Sequence, residues 1–169
     1  MSDTNAAAQP EGQAQPPLVV NVQYVKDLSF EVPGAPGIYS SLRAQPQVAI
    51  HLDVQARRVT EGGNVYEVTL MIRAEATDPS PRPDPNTPAP VVFIAELTYG
   101  GVFTLNGLPE NAIEAVLLVE CPRILFPFAR NTLADVTREG GFPPVMLQPI
   151  DFVALWQSRR AQGAQSAAV

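Results

Sequence analysis

The chain lacks the residues on which disulfide-stapled domains and zinc domains depend. Its 169 residues include one cysteine, Cys121, and one histidine, His51. A single cysteine cannot close a disulfide within the chain, and these two residues together cannot complete a Cys/His zinc set. We therefore expect no metal and no cofactor, and a reducing, cytoplasmic location.

Basic residues are also scarce. The chain has 11 Lys and Arg residues against 17 Asp and Glu residues, which gives a formal net charge of −6. Nucleic-acid binding needs clustered Lys and Arg to neutralise phosphates, so this balance argues against a nucleic-acid partner. An acidic surface favours basic partners instead.

Long apolar runs are missing. No run approaches the roughly 20 residues that cross a bilayer, and residues 1–17 have neither the basic start nor the apolar core of a signal peptide. We therefore expect no membrane insertion and no export of the chain itself. Residues 1–17 are too poor in apolar side chains to fold and are predicted to be a disordered tail, followed by a single domain over 18–160 and a flexible tail over 161–169.

The sequence contains no Walker loop, no GxGxxG or GxSxG turn, no HExxH helix and no paired CxxC. Phosphate binding, acyl transfer and metal-assisted hydrolysis each lack their minimum parts, so we expect no enzyme activity. His51 alternates with apolar neighbours on a strand and has no orienting partner, so it is interpreted as a surface residue. Cys121 is interpreted as a small buried thiol.

Alternating apolar and polar residues predict four antiparallel strands. The first runs from Val20 to Val32 with one polar face, and a hairpin reverses the chain at residues 61–64. A strand over 91–105 contains Gly100 and Gly101, a pair that commonly permits a bulge or a tight bend. The intervening segment 78–90 holds many prolines and is predicted to be an exposed excursion.

The spacing of apolar residues becomes helical after residue 109. Pro122 is predicted to open a new helix, Pro127 to bend it, and the glycines at 140–141 to end it. Asp151 is predicted to cap a last short helix. Strands followed by helices predict an α+β fold, with a four-stranded antiparallel sheet and C-terminal helices packed on one side.

Two groups of residues are candidates for binding. Asp27 and Glu31 share one face of a strand, about 13 Å apart at the rise of an extended chain, and Glu96 lies on a later strand. Their spacing alone fits either an ordinary solvated face or an acidic patch for a basic partner. Apolar residues in two irregular segments, one early and one late in the chain, fit either a roof over the core or a groove for unfolded chains.

Short segments spread over residues 22–156 form a specific signature. They are YVKDLSFE at 24–31, VYEV at 65–68, GGVF at 100–103, CPRILFPFAR at 121–130 and GFP at 141–143. In this order they resemble SecB, the family of bacterial protein-export chaperones. The resemblance implies a homotetramer, a dimer of dimers, that binds unfolded preproteins without nucleotide, keeps them competent for translocation and delivers them to SecA at the Sec translocase.

The resemblance also implies roles for individual residues. SecA binding would fall to Asp27, Glu31, Ile94, Glu96, Phe152 and Trp156. Client binding would fall to Ile38, Tyr39, Leu42, Phe142, Val145, Met146 and Leu147. The oligomer interface would include Ala95, Leu97, Tyr99, Ile124 and Phe128. The alternative is a SecB-like chaperone dedicated to a single small partner such as an antitoxin.

Overall fold

The computed structural model describes residues 15–81, 84 and 86–166. Its strands are β1 (Leu18–Glu31), β2 (Gln47–Arg58), β3 (Val65–Thr77) and β4 (Val91–Leu105), and its helices are α1 (Ile38–Ser41), α2 (Glu110–Ala115), α3 (Cys121–Glu139) and α4 (Phe152–Ser166). All strand pairs are antiparallel, in the order β1-β4-β3-β2. The predicted α+β class is confirmed.

The helices cover one face of the sheet, and the core lies between the two layers. Alternate residues of β3, such as Val68, Leu70 and Ile72, are buried there and pack with Leu125 and Leu133 of α3. Because side chains of a strand alternate between faces, the intervening residues point to the other face, which we call the open face. The fold thus leaves one side of the sheet free to carry a site.

The glycine pair in β4 does not form the predicted bulge. Irregularities in pairing lie elsewhere. Two are in β1, between Val20 and Val22 and between Val25 and Asp27, and one is at the start of β4, where Ala76 and Thr77 of β3 pair with it. The glycines make room for side chains, since a Cβ at Gly100 would lie 2.9 Å from the ring of Tyr24. The bulges also correct the prediction of one continuous polar face, because they change which face successive residues of β1 occupy.

The helical region does not restart at Pro122. A π-helical turn, Val116–Glu120, joins α2 to α3, and the residues at both of its ends have right-handed helical dihedrals. Pro122 cannot donate to the preceding turn, and a local π-turn is one way in which a helix accommodates such a lost hydrogen bond. The bend expected at Pro127 stays a prediction, while Gly141, at φ 84°, ends this helical stretch.

The C-terminal helix begins as predicted but extends further than the predicted domain. The backbone N–H of Ala154 donates to Asp151 Oδ1 at 3.0 Å, which confirms Asp151 as the cap of α4. The helix continues to Ser166, six residues beyond the predicted boundary at 160. The remaining predictions for the two tails, over residues 1–14 and 167–169, lie outside the described residues. Within the described part of the chain, no helix is long and apolar enough to cross a bilayer.

Candidate functional site

An apolar groove runs between the edge strand β2 and the irregular segment 142–150 that follows α3. Its volume is about 410 Å³. Val48 and Ile50 of β2 line one side, each with 38 % of its surface exposed, and Met146, 53 % exposed, lies on the other. The full lining is Gln45, Pro46, Val48, Ile50, Phe93, Phe142, Pro143, Pro144, Val145, Met146, Leu147, Gln148 and Ile150. Exposed apolar side chains in a concave surface are typical of a site for apolar ligands.

An aromatic cluster supports one end of the groove. The ring of Phe142 lies 4.9 Å from that of Phe93 and 5.4 Å from that of Tyr39, measured between centroids. The hydroxyl of Tyr39 donates to the carbonyl oxygen of Gly140 at 2.8 Å, which ties α1 to the end of α3. These contacts hold Phe142 in place at the groove.

The structure brings together only part of the predicted client set. Phe142, Val145, Met146 and Leu147 line the groove. Ile38 and Leu42 pack against the buried cluster that contains Phe142, and Tyr39 stacks on that ring. The α1 residues thus lie outside the cavity lining, and their client role stays a prediction.

Sequence reasoning missed the contribution of β2 to this groove. Val48 and Ile50 lie opposite the buried Ala76 and Ala74 of β3, on the face of the sheet that the helices cover. The pattern could not show that β2 is an edge strand, at which part of the apolar face lies beyond the covering helices. The only sequence signal for this part of the groove was the alternation of apolar and polar residues close to the proline-containing segments 33–46 and 142–149.

A buried hydroxyl fixes the position of the irregular segment. The backbone N–H of Val145 donates to Oγ1 of Thr137 at 3.0 Å, and the Thr137 hydroxyl donates to the carbonyl oxygen of Leu133 at 3.0 Å. Thr137 is fully buried. This relay connects the apolar groove to the last turns of α3.

The open face carries the predicted acidic residues. In the pairing of β1 with β4, Asp27 lies opposite Thr98, Ser29 opposite Glu96, and Glu31 opposite Ile94. These pairs place the predicted residues Asp27, Glu31, Ile94 and Glu96 on one surface. A shallow concavity of about 320 Å³ crosses all four strands and is bordered by Asp27, His51, Leu52, Asp53, Met71, Ile72, Arg73, Glu96, Leu97 and Thr98. We call this the acidic concavity.

Two arginines partly neutralise the acidic concavity. Arg73 of β3 pairs with Glu96 across the strands and with Glu75 at 2.8 Å. Arg159 of α4 pairs with Asp53 of β2. All five side chains are partly exposed, so solvent screens these pairs and each is weak. Neither arginine was singled out from the sequence.

A stronger charge network lies further along the same face. Glu67 is only 5 % exposed and receives hydrogen bonds from the Tyr24 hydroxyl, from Lys26 Nζ at 2.9 Å and from Arg57 Nε at 2.6 Å. The Tyr24 hydrogen bond, with help from Lys26 and Arg57, lowers the pKa of Glu67 to about 2 despite its burial. Burial and the Glu67 carboxylate raise the pKa of Tyr24 to about 12. The network holds Lys26 at the bulge beside Asp27.

Several predicted contact residues are part of the core. Phe152 is 1 % exposed and packs edge-on against Phe126 at 5.9 Å, and its contact with SecA stays a prediction. Ala95 and Leu97 are likewise buried among the residues under α3, and their assignment to an oligomer interface stays a prediction.

The other predicted contact residues retain some exposure. Phe128 is 50 % exposed and stacks on the largely buried Tyr99 with centroids 6.4 Å apart. Ile124 and Trp156 are partly buried. The oligomer and SecA roles of these residues stay predictions.

The one cysteine and the one histidine of the sequence, Cys121 and His51, lie on different elements, α3 and β2. Burial and the neighbouring Glu120 charge raise the pKa of the Cys121 thiol to about 12, and the side chain has no exposed surface, as expected for a structural thiol. His51 is exposed at the acidic concavity. Among the described residues, no group of three or more His, Cys, Asp or Glu side chains is placed to hold a metal ion.

A solvent-open apolar groove and an acidic concavity on a single small sheet are features of a protein-binding module of the chaperone class. Comparison with known proteins identifies the family within this class. The family model described as preprotein translocase subunit SecB matches residues 11–163. The chain belongs to the SecB family, and its role is that of a protein-export chaperone.

Individual relatives agree with this assignment. The chain is 71 % identical over 153 residues to the protein-export protein SecB of Granulibacter bethesdensis, covering 90 % of this chain and 88 % of the relative. It is 65 % identical over 150 residues to the SecB of Acidiphilium cryptum, covering 86 % and 90 %. Among solved structures, a Mycobacterium tuberculosis SecB-like chaperone bound to an antitoxin peptide matches with a TM-score of 0.61 at 12 % identity, over 79 % of this chain and 91 % of that one. That last likeness shows the fold alone.

Proposed function

We propose that this protein holds unfolded preproteins in the apolar groove, keeps them competent for translocation and delivers them to SecA at the Sec translocase. The observation that supports this most is the exposure of Val48, Ile50 and Met146 in one concave surface. A soluble chain gains nothing from exposed apolar side chains there unless a ligand covers them. Extended segments of unfolded polypeptides supply matching apolar side chains, which folded proteins bury.

Capture would use burial of apolar side chains and no nucleotide. Each client side chain that is fully buried contributes about 1.5–3 kcal/mol. A groove of about 410 Å³ holds only a few such side chains, so one site binds weakly. Tight holding then requires several grooves on one assembly, because each further contact of a bound chain is intramolecular. This mechanism discriminates against clients that have already folded.

Self-association as a homotetramer, a dimer of dimers, would supply the several grooves. Val20, Val22, Val25 and Leu28 expose 39–48 % of their surfaces along β1, which is the edge of the sheet opposite β2. An unpaired edge with exposed apolar residues favours pairing with another chain. We propose that the tetramer acts in the cytoplasm and needs no catalysis.

The acidic concavity would receive a basic segment of SecA. Asp27 and Glu96 border it, Glu31 and Ile94 lie on the same surface, and the net charge of the chain is −6. Complementary charge accelerates association and fixes orientation more than it adds affinity. The groove and the concavity lie on different parts of the molecule, so client and SecA can bind at the same time.

Ile50→Lys tests the client groove. A lysine at this half-exposed position places a charge among apolar side chains without disturbing the core, and we expect roughly tenfold weaker binding of an unfolded precursor. Val59→Lys is the matched control. Val59 is also a β-branched apolar side chain at the surface, 47 % exposed, but it lies outside the groove lining. Equal binding of the unfolded and folded forms of one precursor, measured by calorimetry, would contradict the proposal.

Glu96→Lys tests the acidic face. Charge reversal should weaken SecA binding about fivefold or more at low salt, with a smaller difference at high salt, and should leave precursor binding unchanged. Glu61→Lys makes the same charge change in the exposed turn between β2 and β3 and serves as control. If Glu96→Lys and Asp27→Lys both retain wild-type SecA affinity, the acidic face plays no part in delivery.

Dedication to one small partner is the alternative. A Mycobacterium tuberculosis SecB-like chaperone of similar fold is bound to an antitoxin peptide, and that likeness is what supports this alternative. Two relatives of 71 % and 65 % identity carry the name protein-export protein SecB, which favours the export role over a single dedicated partner. Crosslinking in cells followed by identification of captured chains separates one partner from many.

A further inference from the structure

One arginine joins the C-terminal helix to both the backbone and a carboxylate of the edge strand. Arg159 of α4 forms an ion pair with Asp53 of β2. Its Nη1 also donates to the carbonyl oxygen of Val54 at 3.0 Å. Val54 is buried under the helices, whereas Asp53, its neighbour in the strand, points to the open face. The Arg159 guanidinium therefore reaches around the edge of the sheet.

Asp53 belongs to the same surface as the residues proposed to receive SecA. Asp53, Asp27 and Glu96 all border the acidic concavity of about 320 Å³. A basic segment lying across this concavity would meet Asp53 as well as the other two carboxylates. That carboxylate is already paired with a guanidinium from the chain's own helix.

We propose that Arg159 occupies, from within the chain, the place that a basic residue of the partner takes at Asp53, so that partner binding and attachment of the end of α4 to β2 compete. The inference rests on the proposed acidic face. Phe152 anchors the start of α4 in the core, and the competition therefore concerns only the later part of the helix. β2 also supplies Val48 and Ile50 to the apolar groove, so the contact links the strand of the client site to the partner site.

The ion pair between Arg159 and Asp53 is weak enough for a ligand to displace it. The Arg159 side chain is 32 % exposed and that of Asp53 47 %, so water screens their attraction. Removing an exposed competitor of this kind should tighten binding of a basic ligand by about two- to fivefold. By reciprocity, a bound basic ligand weakens the attachment of α4 by the same factor.

The probe is a short fluorescent oligolysine peptide, titrated into the full chain at low salt. We expect Arg159→Gln to bind it about two- to fivefold more tightly than wild type. Arg138→Gln controls for the change in net charge, because Arg138 is paired with Asp135 on α3, away from the concavity, and this variant should bind the peptide as wild type does. In an Asp53→Asn background the gain from Arg159→Gln should disappear, as expected of a coupled pair.

Trp156 supplies a second measurement that needs no substitution. It is the one tryptophan of the sequence, is partly buried, and lies on α4 close to Arg159. Release of the later part of α4 should increase its exposure, so the peptide should shift the emission of the wild-type chain to longer wavelength. The shift should be smaller in Arg159→Gln, in which the contact is already lost.

The outcomes separate this inference from the proposed function. If peptide binding is insensitive to Glu96→Lys and Asp27→Lys, the acidic face itself is refuted. If those variants weaken binding but Arg159→Gln and Arg138→Gln bind alike, the acidic face stands and the competition is refuted. Unchanged Trp156 emission on saturation with peptide also overturns the competition.

Discussion

Glu67→Gln should remove a specific part of the acid sensitivity of this protein. The carboxylate of Glu67 accepts hydrogen bonds from Tyr24, Lys26 and Arg57 in the folded chain, and its pKa is lowered from 4.5 to about 2. When the chain unfolds, these donors are lost and the pKa returns to its ordinary value. The folded state therefore binds this proton less tightly than the unfolded state, and folding is linked to its loss.

The pKa difference sets both the size and the pH range of the effect. A shift from 4.5 to about 2 corresponds to at most about 3 kcal/mol of stability. Lys26 and Arg57 are exposed, so screening reduces the realised value. Because the folded pKa is lowered, the contribution is complete above the unfolded pKa. It declines below about pH 5 and is lost as the pH falls through about 2.

Urea unfolding of wild type and Glu67→Gln, measured from pH 7 down to pH 3, checks this prediction. The stability difference between the two proteins should narrow as the pH falls, because only wild type loses the contribution of an ionised Glu67. Both proteins must be compared at one concentration, since assembly affects the apparent stability. Glu75→Gln, on the same strand but partly exposed, is the matched control and should show the acid sensitivity of wild type. Parallel stability curves for wild type and Glu67→Gln would refute the linkage.

Two further predictions concern buried residues of α3. Thr137→Val keeps the side-chain shape but leaves the Val145 N–H without its acceptor, so it should cost about 1–3 kcal/mol in unfolding free energy and weaken precursor binding, measured by urea unfolding and calorimetry. Cys121 is fully buried and its pKa is raised to about 12, so a thiol reagent at about pH 8 should label the native chain only as fast as it unfolds.

Each of these predictions has a direct check. Thr132→Val is the control for Thr137, because the Thr132 hydroxyl also donates to a carbonyl of α3, that of Phe128, at 3.0 Å. Wild-type precursor affinity in Thr137→Val would show that the relay does not position the groove. Labelling of Cys121 at the same rate in native and urea-unfolded protein would contradict its burial.

The strands were predictable because a sheet with one covered face imposes a period of two. The strand predicted over 91–105 is β4, Val91–Leu105. The pattern failed where the backbone is irregular. The bulges in β1 change the face on which residues after Val20 and Val25 lie, and nothing in the alternation marks that change. The glycines of β4 signalled a special position, but the reason is close approach of side chains, the Tyr24 ring at Gly100 and the side chains of Phe103 and Leu125 at Gly101.

The site could be predicted only in part, because it depends on contacts between distant segments. Asp27 and Glu96 were found, since their charge and strand positions are visible in the sequence. Arg73 and Arg159 were not, because pairing with Glu96 and Asp53 depends on strand register and on where α4 docks. The same holds for Glu67, which the sequence presents as one more polar residue of an alternating strand.

The position of β2 explains how one small sheet carries two binding surfaces. Ile50 lines the apolar groove, His51 and Asp53 border the acidic concavity, and Val54 is buried beneath the helices. Successive side chains of an edge strand point to opposite faces, so residues next to each other in sequence serve different ligands. A shift of one residue in the pairing of β2 with β3 would move Ile50 to the acidic face and Asp53 toward the core. The register of this one pair of strands therefore determines both surfaces. A ligand that displaces β2 at one surface also displaces the strand that lines the other surface.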